Sequence, residues 1–413
     1  MKTPILRFST FVEKGGTWHP FKVEDLGKFL RGQTYSRNDV TGVCTDVLII
    51  RSSNLQDAWY VDVSIDPQYV DIEVSDDQQL KKNDVVICTA NGSTKLVGKA
   101  SIYDGEYKGR ISWGAFCAVF RPSIELSKYF FSTNQYKKLI DIHKQGGNGA
   151  LANLNIQSIS KEEIYFPVLE EEQQKIAAFF TALDEKIRLS EQKLNLISKI
   201  KKAIAQKLFA QDLRFKNEDG YFFDSWKSYT VGELVDVIGG GTPSTQNPDY
   251  WDGDIYWLTP TEINSKYVHS SNRKITFDGV KNSSAKLLPK GALLLTTRAT
   301  LGACSINNQD NPVCTNQGFQ SLVCKDGVDN EFMYYVVTDS AFQKAMIQRA
   351  SGSTFLEISS KNLKGILIHL PSLEEQRQIA TLLSSLDKKI DCLKQRVKAL
   401  KTQKASFMQQ MFV

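Results

Sequence analysis

Residues 171–209 and 374–412 are two versions of one 39-residue segment, aligned without a gap at an offset of 203 and identical at 13 positions. A repeat of this length constrains the fold more than any local pattern, because each copy must build the same unit. Upstream the likeness is thinner but keeps nearly the same offset. Val23, Leu26, Gly32, Thr34 and Ser36 fall on Val231, Leu234, Gly240, Thr242 and Ser244, and Val85-Val86-Ile87 falls on Leu293-Leu294-Leu295. The chain is therefore expected to hold two globular-plus-helix units in an internal pseudo-two-fold repeat.

The globular part of each copy carries short β-branched and aromatic runs, CTDVLII, DVVICTA and GAFCAVF in the first, DIYWLT, ALLLTT, GFQSLVC and GILIHL in the second. Turn-forming clusters such as GGGTPSTQNPD separate them, which is the pattern of short strands. The clearest helical stretch, 331–349, has its counterpart near 127–142. The expected fold class is α+β, with mixed α/β domains about a twisted sheet over 1–166 and 214–370 and long helices over 167–213 and 371–413.

Those helices carry heptads. In the first, position a holds Ile176, Leu183, Ser190, Ile197 and Ile204, and d holds Phe180, Ile187, Leu194, Lys201 and Leu208. In the second, a holds Ile379, Leu386, Leu393, Leu400 and Phe407, and d holds Leu383, Ile390, Val397, Lys404 and Met411. Seventeen of these 20 positions are apolar, as a coiled-coil seam requires. Lys201 and Lys404 occupy the same d position, where a lysine costs stability and fixes register. Acidic first turns (Glu171, Glu172, Glu374, Glu375) and basic later turns suit the helix dipole and favour antiparallel pairing. Connectivity agrees, and the expectation is a two-helix antiparallel rod about 58 Å long with one domain at each end.

Catalytic signatures are missing. No GxxxxGK[ST], GxGxxG or Gly-x-Ser-x-Gly is present, and Asn247-Pro248-Asp249-Tyr250 departs from the NPPY of amino-methyltransferases. The four histidines have no metal-ligand spacing, and the seven cysteines no CxxC, so reduced thiols, a cytoplasmic setting and no metal are expected. No stretch is long and apolar enough for a membrane. The excess of 51 Lys+Arg over 46 Asp+Glu is compatible with nucleic acid without demanding it.

The segments ILIHLPSLEEQRQIATLLSSLDKKI and YFPVLEEEQQKIAAFFTALDEKI resemble the conserved regions of the specificity subunit of type I restriction–modification systems. Trp226…Gly232-Glu233-Leu234…Gly239-Gly240-Gly241-Thr242-Pro243-Ser244 and Thr315-Asn316-Gln317-Gly318 resemble that family's target recognition domain. The first domain departs from it, with Arg31-Gly32-Gln33-Thr34 at the glycine run and Arg110-Ile111-Ser112-Trp113-Gly114 in place of Thr-Asn-Gln-Gly. The resemblance implies a non-catalytic subunit whose two domains each read half of an interrupted site in double-stranded DNA. It also implies two modification subunits binding S-adenosylmethionine, and restriction subunits using ATP and Mg, with no cofactor on this chain. Base edges are read by Arg or Lys to guanine and Asn or Gln to adenine. The expected readers are thus Asn91, Ser93, Thr94, Lys95, Lys99, Lys108 and Arg110 in domain one. In domain two they are Thr242, Gln246, Asn247, Thr297, Arg298, Thr300, Thr315, Asn316 and Gln317. The competing readings are a coiled-coil scaffold and a fragment of a DNA methyltransferase or nuclease.

Overall fold

The computed structural model describes residues 3–413 apart from 57–58, 147–150, 299 and 353–355. The chain forms two compact units, residues 1–191 with 395–413, and residues 192–394. Each long helix, Glu170–Phe209 and Leu373–Met411, contributes to both.

In the first unit the main sheet runs Gly27–Arg31, Cys117–Pro122, Val85–Cys88, Ala100–Ile102, Trp59–Tyr60. The second unit repeats the plan as Val235–Gly239, Phe319–Cys324, Leu293–Thr296, Cys304–Ile306. Strands Val85–Cys88 and Leu293–Thr296 are buried at all four residues, which is why their sequences are unbroken apolar runs rather than alternating ones. The single twisted sheet expected for each domain is divided. A smaller sheet beside the main one holds Ile111–Trp113 parallel to Val47–Ile50 in the first unit, and Val313–Thr315 parallel to Trp251–Leu258 in the second. A two-stranded ribbon closes each domain, Trp18–Lys22 on Glu163–Pro167 and Lys227–Thr230 on Leu367–Leu370.

The expected helix over 331–349 is two helices, Asn330–Thr338 and Ser340–Arg349. Asp339 between them is extended, and its carboxylate accepts from the Ala341 amide at 2.7 Å. A cap residue of this kind starts a new helix instead of continuing the old one. In the first copy Thr133 takes that role, between the 3₁₀ turn Glu125–Ser132 and the helix Asn134–His143.

The seam positions are all buried or half-buried, but they do not all face a helix. In the first unit Ile176 and Phe180 join the domain's core with Trp18, Tyr129 and Phe166, while Met408 and Met411 arrive from the second long helix. Ile187, Leu183, Val397 and Leu400 continue the covered face of that unit's helices. In the second unit Leu208, Ile379 and Leu383 enter the core with Leu234, Phe332 and Ile366. Ile197, Ile390 and Leu393 form a small helix–helix cluster with Leu194 and Leu386. The heptad seam is thus shared between domain cores and helix pairing.

Candidate nucleic-acid interface

Strand register brings three segments to one edge of each main sheet. In domain one Arg31 pairs with Ala118 and Cys88 with Cys117, so the loops after Arg31, after Cys88 and before Cys117 emerge together. In domain two Gly239 pairs with Gln320 and Thr296 with Phe319, which gathers 240–247, 297–298, 300–303 and 316–318 in the same way. The backbone clamps match. The Gln33 and Gly241 amides donate to the Trp113 and Thr315 carbonyls, each at 2.8 Å, and the Thr89 and Thr297 amides donate to Phe116 and Gly318 at 2.9 and 2.8 Å. A Cβ on Gly32 would lie 2.1 Å from the Gly114 carbonyl oxygen, and one on Gly240 would lie 1.9 Å from that of Asn316. Only glycine permits this approach of two backbones.

This register corrects the expected correspondence. Trp113-Gly114-Ala115-Phe116, not Arg110–Gly114, stands opposite Thr315-Asn316-Gln317-Gly318. Lys108 and Arg110 therefore lie at the far end of the strand Ile111–Trp113, about 10 Å from the loop edge at the usual strand rise. They do not join the other candidates of domain one.

The remaining domain-one candidates gather on the loop after Cys88. Asn91 is committed to that loop's shape, since its amide donates to the Ser52 hydroxyl at 2.9 Å and its carbonyl accepts from the Ser93 amide at 2.9 Å. Ser93, Thr94 and Lys95 are exposed beyond it, and Lys99, half-buried, returns beside Cys88. Behind the loop is a cleft of about 570 Å³, lined among others by Tyr35, Arg51, Asn91 and Phe116.

In domain two the loops interlock. Thr242 donates to Gln317 Oε1 at 2.7 Å, Asn316 Oδ1 accepts from the Gly318 amide at 2.8 Å, and Thr300 donates to the Pro260 carbonyl at 3.2 Å. Asn247 caps the short turn Pro248–Tyr250, and Gln246 is exposed next to it. Two expectations fail on burial. Thr297 is 1% exposed and its hydroxyl points to the Gly318 carbonyl, and Thr315 is also 1% exposed, so neither can meet a base edge. Arg298 is exposed, but its Nε and one terminal nitrogen donate to Glu357, at 3.0 and 2.6 Å.

The sequence reading missed Arg273. It starts the strand Arg273–Ile275, pairs with Trp257, and so stands at the loop edge beside the turn Pro260–Glu262. Its guanidinium lies 3.5 Å from the Trp251 ring centroid, a stacked cation. Trp251 and Trp257 donate in turn to the carbonyls of Ser244 and Gly241, so the same aromatics that hold Arg273 hold the glycine-run loop. Among the described residues no carboxylate pairs with Arg273. The signal was present as a Trp–x5–Trp strand facing a basic strand, but only the register joins them.

The helices carry a second repeated device. Lys404 pairs with Asp184 at 2.6 Å in the first unit, and Lys201 pairs with Asp387 in the second. Each aspartate also accepts a tyrosine hydroxyl from its own domain, Tyr129 at 3.1 Å and Tyr335 at 2.5 Å. Burial pushes the Lys404 ammonium below the usual lysine range, and Asp184 opposes that shift. Glu172 and Glu375, expected to serve the helix dipole, are buried acceptors instead. Glu172 takes Arg7 through two bonds of 2.6 Å and Trp18 at 3.2 Å, and Glu375 takes Arg214 at 3.2 and 2.8 Å and Trp226 at 3.1 Å. The shared Glu-Glu-Gln segment, 171–173 and 374–376, is therefore a clasp between helix and domain. No group of three His, Cys, Asp or Glu among the described residues could hold a metal ion, and no helix is long and apolar enough to cross a membrane.

The family model of the type I restriction modification DNA specificity domain matches residues 15–199 and 224–402, one copy on each repeat. The chain is 40% identical over 187 residues to the type I restriction enzyme MjaIX specificity subunit of Methanocaldococcus jannaschii, covering 44% of this chain and 43% of that protein. It is 21% identical over 401 residues to the StySPI specificity subunit of Salmonella potsdam, covering 92% and 84%. The structure of the type I restriction–modification S subunit from M. genitalium shares the fold, with a TM-score of 0.62 at 16% identity over 100% of this chain and 99% of that one. With both repeats matched by that model, the chain belongs to the family of type I restriction–modification specificity subunits.

Proposed function

We propose that this chain is the DNA-reading subunit of a type I restriction–modification complex, non-catalytic by itself. Each domain reads one half of an interrupted, asymmetric site in double-stranded DNA, and the paired long helices set the gap between the halves. Two modification subunits supply S-adenosylmethionine-dependent methylation, and restriction subunits supply ATP- and Mg-dependent cleavage. The observation that carries this reading is the recurrence, at one sheet edge of both domains, of polar loops held on clamped backbone. Rigid presentation of donors and acceptors is what base readout demands, and phosphate contacts then set the register. Lys95 and Lys99 in domain one and Arg273 in domain two are the cations placed for phosphate. The loops differ between the domains, as two different half-sites require.

Methylome sequencing of cells that carry this chain with its modification subunits tests the reading. The expected outcome is one bipartite motif with a fixed spacer, in which exchange of residues 226–370 for those of another family member alters one half only. Methylation with no sequence motif, or an exchange that alters both halves, would refute it.

A further inference from the structure

The two reading edges differ most at one backbone position. Gly318 in domain two and Phe116 in domain one occupy the same register, each accepting from the amide of the threonine just after the neighbouring strand, Thr297 and Thr89. Gly318 has no room for a side chain, because a Cβ there would lie 2.6 Å from Pro260 Cγ and 3.0 Å from Asn316 Oδ1. In domain one the turn Ser52–Asn54 replaces Pro260–Glu262, with the Arg51 amide donating to Asn54 Oδ1 at 2.9 Å as the Thr259 amide donates to Glu262 Oε2 at 2.8 Å. Ser52 thus stands where the proline stands, and the space admits a ring. That ring is 62% exposed. Its main chain is anchored at the loop edge, with the Phe116 carbonyl accepting from both Thr89 and Ala90, at 2.9 and 3.2 Å. A large apolar side chain left in water on a clamped backbone, at the mouth of the cleft behind it, is built to meet something flat and apolar.

We infer that Phe116 is a wedge that stacks against a nucleobase of the half-site read by domain one, unstacking one base step there, and that domain two, with Gly318, makes no such contact. The inference rests on the proposal that this edge faces DNA. Apolar side chains inserted at a base step are an established means of unstacking a duplex, and their cost falls with step flexibility. Domain one therefore reads deformability at that step in addition to hydrogen-bonding pattern.

The test uses the complex of this chain with its modification subunits and duplexes carrying its own bipartite site, with 2-aminopurine placed in turn at each purine position of both halves. Wild type should give a fluorescence rise at one step of the domain-one half and none in the other half. Phe116→Trp should keep that rise, and Phe116→Ala should lose it and bind about 5- to 150-fold more weakly, the range found for loss of one base–aromatic stack. Equal signals and equal affinities for wild type and Phe116→Ala would overturn the wedge while leaving the reading function intact. Failure of the wild-type complex to bind its site specifically would instead overturn the function. If Phe116→Ala weakens assembly with the modification subunits in the absence of DNA, the ring is a protein contact and the inference falls.

Discussion

The two repeats are most alike where side chains hold the domain to the helix, and least alike where loops meet solvent. The Arg–Glu–Trp clasp, the Lys–Asp–Tyr cluster and the glycine at each reading edge recur in both copies. Ten positions of sequence separate the strand end Cys88 from the left-handed Gly98 in domain one, against six from Thr296 to Gly302 in domain two, the two glycines having φ +86° and +92°. Anchors are shared because both domains must be held in the same way. Tips diverge because nothing in the fold depends on them. Even the shared lysine cluster is not equally built. Asp184 is fully buried and Lys404 nearly so, whereas Lys201 and Asp387 keep about a quarter of their side-chain surface in water.

That inequality gives the largest expected effect. Lys404→Met leaves Asp184 bonded to Tyr129 but fully buried without its cation, and should cost about 3–5 kcal/mol of stability. Lys201→Met leaves Asp387 hydrated and still bonded to Tyr335, and should cost about 1 kcal/mol. Calorimetric unfolding of the two variants checks the ratio, and equal losses would show that the two clusters are energetically equivalent after all. Lys404→Met combined with Asp184→Leu should recover most of the loss, because an apolar pair removes the desolvated charge.

Next in size is a test of what the copies share. Gly32→Ala and Gly240→Ala each drive a methyl group into a backbone carbonyl, and each should destabilise by about 1–3 kcal/mol, the usual cost of overpacking. Thermal unfolding should show similar losses for both. A neutral Gly32→Ala would mean that domain one's edge relaxes where domain two's does not, and would weaken the equivalence drawn between them.

The repeat, the strand runs and the heptads were legible because they depend on periodicity, which survives without coordinates. The Lys201 and Lys404 positions were visible as seam polar residues, but their aspartates were not, since Asp184 and Asp387 sit beside the seam rather than in it. Glu172 and Glu375 were misread because Arg7 and Arg214 are more than 150 residues away in the chain. At the reading edge, polar type was a poor guide to exposure. Thr297 looks like a base reader and is spent on a carbonyl. Lys108 and Arg110 fall on the wrong end of a strand only three residues long, and no propensity argument resolves a reversal over that distance.

The smallest expected effect distinguishes the two arginines of domain two. Arg298 is the residue sequence favours, but Glu357 offsets its charge and takes two of its donors. Arg273 lies over the Trp251 ring and is exposed. In the assembled complex Arg273→Ala should weaken binding of all sequences alike and reduce the salt slope by about one, the signature of a lost phosphate contact. Arg298→Ala should change neither affinity nor slope measurably, since the charge it removes is already offset. Glu357→Gln should do the opposite and steepen the slope, because it releases a guanidinium at the same edge. Titrations at several salt concentrations separate the three variants. If Arg298→Ala instead relaxes a single base position with the slope unchanged, then Glu357 yields to guanine on binding. Domain two would then read through an arginine that its own acid holds in reserve, a switch that domain one, with Ala90 at that position, does not have.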